Sequence, residues 1–221
     1  MELKTTNLLN LDKTIAKDLF ANEDKPWGIL PKISQFILEL GKRLDLDEFD
    51  RVASDIWVAK SAKISQTACL NGPLIVDEDA EIRHCAYIRG GVIVGKGAVV
   101  GNSTEIKNSI LFDGVQVPHY NYVGDSILGY KAHMGAGSIT SNVKSDKSLV
   151  KISCNGKKID TGLKKLGAIL GDYVEIGCNT VLNPGTIVGK NSTIYPLCSV
   201  RGIVQENCIY KSNSICVKRY C

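Results

Sequence analysis

The chain has 221 residues, a length that suits one domain with an additional segment and allows a sizeable buried core. Hydrophobic residues make up 44% and charged residues 23%, and a net charge of +4 is too small to indicate a nucleic-acid partner. The N-terminus has no apolar run long enough for a signal peptide, and no stretch approaches the roughly 18 apolar residues of a membrane span. We therefore expect a soluble cytoplasmic protein without a membrane partner.

Eight cysteines are spread over the chain without a CxxC pair. Their spacing excludes a zinc ribbon, and in a protein expected in the cytoplasm we predict reduced thiols that mostly fill small apolar spaces. They are Cys69, Cys85, Cys154, Cys178, Cys198, Cys208, Cys216 and Cys221.

The first predicted element is a helix within LPKISQFILELGKRLDLDEF, residues 30–49. Pro31 suits a first-turn position, and Lys and Arg cluster toward the end. The apolar positions that fall on one side at helical spacing are Ile33, Phe36, Ile37, Leu40 and Leu44. We expect residues 1–52 to form an N-terminal arm and this helix, which packs on the start of the repeat body or on another subunit.

From residue 58 an aliphatic or aromatic side chain recurs at every sixth position. The recurring residues are Val58, Ile64, Leu70, Val76, Ile82, Ile88, Val94, Val100, Ile106 and Phe112. A helix would repeat every 3.6 residues or so and a strand every two, whereas a period of six with glycines at corners is typical of a hexapeptide β-helix. The phase slips by about one residue after Phe112 and resumes from Leu170 to Ile194. We predict an all-β parallel β-helix over residues 53–204.

An insertion interrupts the repeat at residues 143–166. Within it, LVKISCNGKKIDTG predicts two strands joined by an Asn155-Gly156 turn, which is a β-hairpin signal. Its lysines form a mostly solvated face, in which one or two are candidates for contact with phosphate: Lys144, Lys147, Lys151, Lys157, Lys158, Lys164 and Lys165. After Val204 the rhythm is lost, and residues 205–221 are predicted to form a C-terminal tail that caps the β-helix or lies on a neighbouring subunit.

The stretch from His119 to Asn142 contains the candidate reacting groups. It reads HYNYVGDSILGYKAHMGAGSITSN. A histidine that can take a proton near neutral pH stands there beside small residues that let a ligand approach the backbone. We predict that this stretch forms the reacting face of the repeat.

Four motifs, YIRGG, TEIKNS, HYNYVGDSILG and GAGSITSN, occur in this order. Together they resemble the acetyltransferase half of the bifunctional enzyme that makes UDP-N-acetylglucosamine, a member of the hexapeptide-repeat acyltransferase superfamily. Short stand-alone relatives labelled UDP-N-acetylglucosamine pyrophosphorylase-related are similar over the N-terminal helix and the hairpin as well. The resemblance implies a left-handed β-helix, a homotrimer with the acetyl site between subunits, and acetyl-CoA as co-substrate without a metal. The implied activity is N-acetylation of an amino-sugar 1-phosphate in UDP-N-acetylglucosamine biosynthesis, with glucosamine 1-phosphate as the first candidate.

The resemblance also implies roles for individual residues. His119 matches the catalytic histidine, which takes a proton from the amino group as that group attacks the thioester. Arg89 and Lys107 match residues that grip the sugar phosphate, and Tyr122 matches a tyrosine that reaches it. Asn142 matches an asparagine of the sugar site.

The coenzyme is expected along a second group of matching positions. Gly135, Ala136 and Gly137 match the lane of the pantetheine arm, with backbone N–H groups available to the developing oxyanion. Cys178 and Pro196 fall where the family holds more of the coenzyme.

Two positions depart from the family pattern. His133, a candidate substrate contact, stands where the family usually has an asparagine that contacts the sugar, and Val143 stands where it usually has a tyrosine. They support an alternative function, a non-catalytic trimeric scaffold or sugar-nucleotide sensor. The acceptor also stays open among glucosamine 1-phosphate, galactosamine 1-phosphate and a UDP-amino sugar.

Two further activities conflict with the residues present. Zinc-dependent carbonic anhydrases of this fold need three histidines, two of them five residues apart, but Gly124 stands five residues after His119. Nucleotidyl transfer in the bifunctional enzyme belongs to a Rossmann-like domain with a glycine-rich loop, which residues 1–57 lack. We therefore predict neither a metal site nor pyrophosphorylase activity.

Overall fold

The computed structural model describes residues 2–154, 156–211 and 216–218. An N-terminal helical segment precedes a solenoid of about eight coils, in which successive strands of a coil belong to three different sheets. The fold is the predicted all-β, left-handed parallel β-helix of hexapeptide repeats with a short helical segment and an inserted hairpin.

The three walls are named sheets A, B and C in the order in which each coil passes through them. Sheet A consists of β1 (Phe49–Ala53), β2 (Ile56–Ala59), β5 (Leu74–Val76), β8 (Val92–Val94), β11 (Ser109–Leu111), β14 (Ile127–Leu128), β19 (Ala168–Leu170), β22 (Thr186–Val188) and β25 (Ile203–Val204). Sheet B consists of β3 (Lys63–Ile64), β6 (Glu81–Ile82), β9 (Val99–Asn102), β12 (Gln116–His119), β15 (His133–Met134), β20 (Glu175–Ile176), β23 (Thr193–Ile194), β26 (Cys208–Tyr210) and β27 (Cys216–Lys218). Sheet C consists of β4 (Cys69–Leu70), β7 (Tyr87–Ile88), β10 (Glu105–Lys107), β13 (Tyr122–Gly124), β16 (Ile139–Thr140), β21 (Val181–Leu182) and β24 (Ser199–Val200).

Parallel pairing holds throughout these sheets except at two ends. The first strand, β1, runs antiparallel to β2, and β27 runs antiparallel to β26. Strand β26 itself pairs in parallel with β23, so the parallel stack continues to Tyr210, past the boundary expected at Val204.

The N-terminal segment is a chain of short helices that ends on the outer face of sheet A. They are α1 (Thr5–Leu8), three 3-10 helices (Leu11–Lys13, Lys17–Phe20 and Pro26–Lys32) and α2 (Ile33–Gly41). Pro31 lies in the last 3-10 helix instead of the first turn of α2. Buried Ile33 and Ile37 face the repeat body, where α2 contacts β5 and β8. The apolar stripe therefore packs on the start of the β-helix, one of the two partners expected for it.

The aliphatic hexad positions fill the interior of the solenoid. Ile82, Ile88, Val94, Val100 and Ile106 are buried, whereas the same positions in the first coil, Ile64 and Leu70, are half-buried because no coil precedes them.

The phase slip falls earlier than the sequence pattern suggests. Register pairs Leu111, and not Phe112, with Val94 and Leu128. Phe112 lies at the following corner, buried against Phe20 of the N-terminal segment with ring centroids 5.8 Å apart. The prediction of Phe112 as an inward hexad member was therefore wrong by one position, because the preceding turn is one residue short.

The insertion folds into the expected hairpin. Strands β17 (Lys151–Cys154) and β18 (Lys157–Asp160) pair antiparallel, and Asn155 of the predicted turn lies outside the described residues. The hairpin lies against the last coils, where Val150 and Ser153 approach Gly185 and Gly202.

No helix in the described part of the chain is long and apolar enough to cross a membrane.

Candidate active site

One corner of the solenoid gathers most of the predicted sugar-phosphate residues. Arg89 lies 18 residues before Lys107 (107 − 89 = 18), which is three hexads and therefore one coil, whereas the next coil is one residue shorter and pairs Lys107 with Gly124, the residue before Asp125. Each follows or ends a strand of sheet C, so the three stack at the edge where sheet C turns into sheet A. We call this corner the C–A edge; it also includes Asn142 in the next coil.

Asp125 is the centre of this cluster. Its side chain is almost fully buried, and its carboxylate accepts hydrogen bonds from Nδ2 of Asn108 at 2.9 Å and Nδ2 of Asn142 at 2.5 Å. Nζ of Lys107 lies 3.8 Å from Oδ2 of Asp125. The buried carboxylate therefore fixes the side chains of Lys107 and Asn142 relative to each other.

Arg89 is fixed by a different carboxylate. Its Nη1 donates to Oε1 of Glu105 at 2.7 Å, and this bond raises the pKa of the guanidinium further. Both side chains remain partly exposed, so the guanidinium keeps donors that face solvent.

The Lys107 ammonium holds its proton less firmly than an ordinary lysine. Partial burial lowers the pKa of its ammonium, and the charges of Lys165 and Arg89 lower it further, while Asp125 opposes them. A bound anion near this group would relieve the repulsion between the cations. The charges at this corner therefore favour an anion as ligand.

Lys165 reaches this corner from the end of the insertion. A backbone bridge pairs Lys165 with Val143, and the N–H of Leu166 donates to the carbonyl of Asn142 at 3.0 Å. Two residues on, the N–H of Gly167 donates to the carbonyl of Asp125 at 2.8 Å. These bonds attach the returning chain to the C–A edge and bring the Lys165 ammonium beside that of Lys107.

Tyr122 and Asn142 complete the corner. Nδ2 of Asn142 donates to Oη of Tyr122 at 3.3 Å, and burial followed by the charge of Asp125 raises the pKa of the phenol. A Cβ on Gly124 would lie 2.5 Å from Oη of Tyr122 and 2.9 Å from Nδ2 of Asn142. A side chain at position 124 would therefore displace the Tyr122 phenol and the Asn142 amide from each other.

His119 stands at another corner, where sheet B turns into sheet C. It ends β12 with an exposed side chain, and its backbone N–H donates to Oδ1 of Asn121 at 3.1 Å. The carbonyl of His119 accepts from the N–H of Gly137 in the next coil at 3.0 Å. We call this corner the B–C edge. Strand β13 separates it from the cations of the C–A edge within one chain.

The predicted coenzyme residues follow His119 along the B–C edge. The carbonyl of Ala136 accepts from Asn179 N–H at 2.9 Å, and that of Cys178 accepts from Leu197 N–H at 2.9 Å, next to Pro196. The structure thus aligns His119, the Gly135–Gly137 segment, Cys178 and Pro196 in successive coils of one corner.

The backbone donors of that segment differ from expectation. Gly135 N–H donates to the carbonyl of Ile176 at 2.7 Å, and Gly137 N–H donates to that of His119. Neither is free for an oxyanion, because the bonds between coils use them. Among the described residues, Ala136 is the member of this segment whose N–H has no partner.

His133 does not join the C–A edge. It begins β15 in sheet B, and its Nδ1 lies 2.8 Å from Oε2 of Glu175 in the neighbouring strand. Val143, the other departure from the family pattern, is exposed beside Asn142.

Sequence reasoning gave no role to Asp125 and Glu105 and did not single out Lys165. A strict 18-residue spacing does not identify Asp125, because the coil after Lys107 has 17 residues (124 − 107 = 17) and register pairs Lys107 with Gly124. The sequence carries no signal for Lys165 either, because the length of the insertion hides where the chain returns.

A family model described as the GMPPB C-terminal domain matches residues 70–187, more than half of the chain. The chain belongs to the GMPPB C-terminal domain family. It is a hexapeptide-repeat protein of the acyltransferase superfamily, in agreement with the motifs.

Two curated relatives of this family member align with most of its length. One is named bifunctional protein GlmU, from Methanococcus maripaludis strain S2, with 32% identity over 88% of this chain and 48% of the relative. The other is named bifunctional sugar-1-phosphate nucleotidylyltransferase/acetyltransferase, from Sulfurisphaera tokodaii, with 31% identity over 88% of this chain and 51% of the relative. The chain therefore spans about half the length of these relatives.

Among solved structures, the acetyltransferase domain of PglB from Neisseria gonorrhoeae in complex with acetyl coenzyme A is similar, with a TM-score of 0.34 and 12% identity. That match covers 74% of this chain and 57% of the other chain. This TM-score is too low to support a functional inference.

Proposed function

We propose that this protein is an acetyl-CoA-dependent N-acetyltransferase of an amino-sugar 1-phosphate, with glucosamine 1-phosphate as the first acceptor to test. The observation on which this depends is the convergence of Arg89, Lys107 and Lys165 at the C–A edge. With the carboxylates of Glu105 and Asp125, the corner has a net charge of 3 − 2 = +1. A phosphate brings the opposite charge.

The phosphate would contact the two kinds of donor that this corner offers. Arg89 supplies a planar fork whose remaining N–H groups face solvent, while Lys107 and Lys165 supply compact ammonium groups. Tyr122 and Asn142 add neutral hydrogen-bonding groups for the sugar. The name of the Sulfurisphaera relative, which includes both a sugar 1-phosphate and an acetyltransferase, supports this acceptor class.

The acetyl group would be transferred at the B–C edge. The amino nitrogen of the sugar attacks the carbonyl carbon of acetyl-CoA, His119 takes a proton from that nitrogen, and the C–S bond then breaks to release coenzyme A, which receives a proton as its thiol. The free N–H of Ala136, one coil above His119, is the donor that we assign to the oxyanion.

The separation of the two edges supports assembly of the site from more than one chain. Within one protomer, sheet C lies between His119 and the cations, so an acceptor held by one chain would meet the histidine of a neighbour. We therefore propose a homotrimer with sites between subunits, as the family resemblance implies. Sedimentation velocity should give the mass of three chains; a monomer with full activity would contradict this arrangement.

The function is tested by release of free thiol from acetyl-CoA with a panel of acceptors. The purified protein is mixed with acetyl-CoA and glucosamine 1-phosphate, galactosamine 1-phosphate or UDP-glucosamine, and the acetylated product is identified by mass spectrometry. Thiol release with a sugar 1-phosphate supports the proposal. Tight binding of the same ligands without thiol release would instead support the sensor, which His133 and Val143 favour.

A further inference from the structure

A cluster of nucleophilic and hydrogen-bonding side chains lies at the B–C edge two coils before His119. Cys85 is exposed there, and its Sγ lies 3.2 Å from Nε2 of His84. The other ring nitrogen of His84, Nδ1, lies 2.7 Å from Oγ1 of Thr67 in the preceding coil. None of these three residues belongs to the acetyl-transfer site proposed above.

The hydrogen bonds around Thr67 can hold the imidazole in a fixed position. Oγ1 of Thr67 accepts the backbone N–H of Cys85 at 3.2 Å and lies 2.9 Å from Oγ of Ser65. All contacts are satisfied together when Thr67 donates its hydroxyl proton to Ser65 and accepts Nδ1–H of His84. In that assignment the lone pair of Nε2 faces the thiol of Cys85.

Proton transfer within the cluster preserves both of its side-chain contacts. When the thiol proton moves from Sγ to Nε2, the imidazolium donates through Nε2 to the thiolate and through Nδ1 to Thr67. A nucleophile, a base and a group that orients the base are thereby aligned, which is the general arrangement of an activated side-chain nucleophile. Exposure leaves the sulfur open to a reactant in solution.

We propose that Cys85 is a reactive thiolate and a site of reversible S-thiolation by low-molecular-weight disulfides. The thiolate attacks one sulfur of the disulfide, a new S–S bond to Cys85 forms, and the original S–S bond breaks. The second half of the disulfide leaves as a thiolate and takes the proton held by His84. No further oxidant is required, and a free thiol reverses the step.

The other exposed thiols of the described residues provide the internal comparison. Cys69, Cys178 and Cys216 are also exposed, but no histidine ring lies within hydrogen-bonding distance of their sulfur atoms in the described part of the chain. Cys69 is the best reference, because it lies in the coil next to Cys85 and belongs to no site proposed above.

The test is competitive alkylation of the full-length protein. A limiting amount of iodoacetamide is added at pH 6 and at pH 9, and peptides containing Cys85 and Cys69 are quantified by mass spectrometry. An ordinary thiol is only about 0.3% ionised at pH 6 but largely ionised at pH 9, so the ratio at pH 9 corrects for access. We expect the Cys85-to-Cys69 alkylation ratio to be about tenfold higher at pH 6 than at pH 9. This figure already allows for the lower nucleophilicity of a thiolate that a neighbouring group stabilises.

Two variants and one reactant complete the test. His84→Asn keeps a polar side chain but removes the base, so the Cys85-to-Cys69 ratio should no longer depend on pH. Thr67→Val should partly lower the Cys85-to-Cys69 ratio at pH 6. With glutathione disulfide, the first mixed disulfide should form on Cys85. Equal ratios at both pH values in the native protein, or an unchanged ratio in His84→Asn, would overturn the proposal.

Discussion

Asp125 is the single residue that organises the cationic corner. A buried carboxylate is costly unless it is paired and hydrogen-bonded, and Asp125 satisfies this requirement with Lys107, Asn108 and Asn142. It thereby holds the Lys107 ammonium at the C–A edge. The corner combines two carboxylates, those of Glu105 and Asp125, with three cations, so one positive charge is left for an external partner.

Lys165 should contribute directly to phosphate binding. Lys165→Ala removes one cation from the corner, so we expect affinity for glucosamine 1-phosphate to fall about tenfold, the loss of one hydrogen bond to a charged group. Isothermal titration calorimetry measures the change. Lys164→Ala is the matched control, because that lysine is exposed and adjacent. Equal effects of the two substitutions would remove Lys165 from the site.

Asp77 should limit stability at neutral pH. Burial, with the nearby carboxylates of Asp113 and Glu78, raises its pKa from 3.8 to about 6. A carboxyl whose pKa is raised by folding stabilises the protein at low pH, and this contribution is lost as pH rises through about 6. Asp77→Asn has no charge to bury, and Oδ1 can still accept the N–H of Glu78.

We therefore expect Asp77→Asn to be more stable than the native chain by roughly 3 kcal/mol at pH 7.5 and nearly equal to it at pH 3. Urea unfolding at both pH values gives the comparison. Exposed Asp79 provides the control, and Asp79→Asn should change little. A gain that does not depend on pH would contradict this account of Asp77.

At the scale of elements, sheet A differs from sheets B and C. The middle residues of its strands point outward yet are fully buried, because the N-terminal segment and the insertion cover them: Ile75, Ile93, Ile110, Ile127, Ile169 and Ile187. Outward residues of sheet C, such as Tyr87 and Tyr122, remain exposed or half-buried. The chain thus covers one wall by itself and leaves the walls with the candidate site open.

The close contact between neighbouring coils at Gly101 gives an element-scale prediction. A Cβ at Gly101 would lie 1.6 Å from the carbonyl oxygen of Pro118, and this backbone atom cannot move aside without disturbing β12. Gly101→Ala should therefore lower the free energy of unfolding by about 3 kcal/mol or more.

Gly97 is the control in the same coil. It has a φ of +63°, but a Cβ there would meet nothing within 4 Å, so Gly97→Ala should cost only about 1 kcal/mol for the left-handed backbone. Thermal and urea unfolding of both variants provide the test. If Gly101→Ala were no more harmful than Gly97→Ala, the packing between these coils would differ from that described.

For the whole molecule, the period of six predicts the architecture because each inward slot holds one aliphatic side chain and three slots close a coil. The same logic does not locate Asp125, because register pairs Lys107 with Gly124 in a coil that is one residue short. It also does not locate the phase slip at Phe112, because a corner can lose a residue without changing the composition of the pattern. The partner of Gly135 depends on how coils stack across the insertion, where His133 lies beside Glu175, 42 residues later, which the local sequence does not reveal.

The central claim is that His119 removes the proton from an amino sugar whose phosphate is held at the C–A edge. The most direct measurement is the rate of thiol release from acetyl-CoA with glucosamine 1-phosphate for the native protein and for His119→Asn, which keeps a polar side chain but loses the base. The account predicts that the rate falls about a hundred- to ten-thousand-fold while affinity for the sugar phosphate stays nearly the same. An unchanged rate in His119→Asn would contradict it.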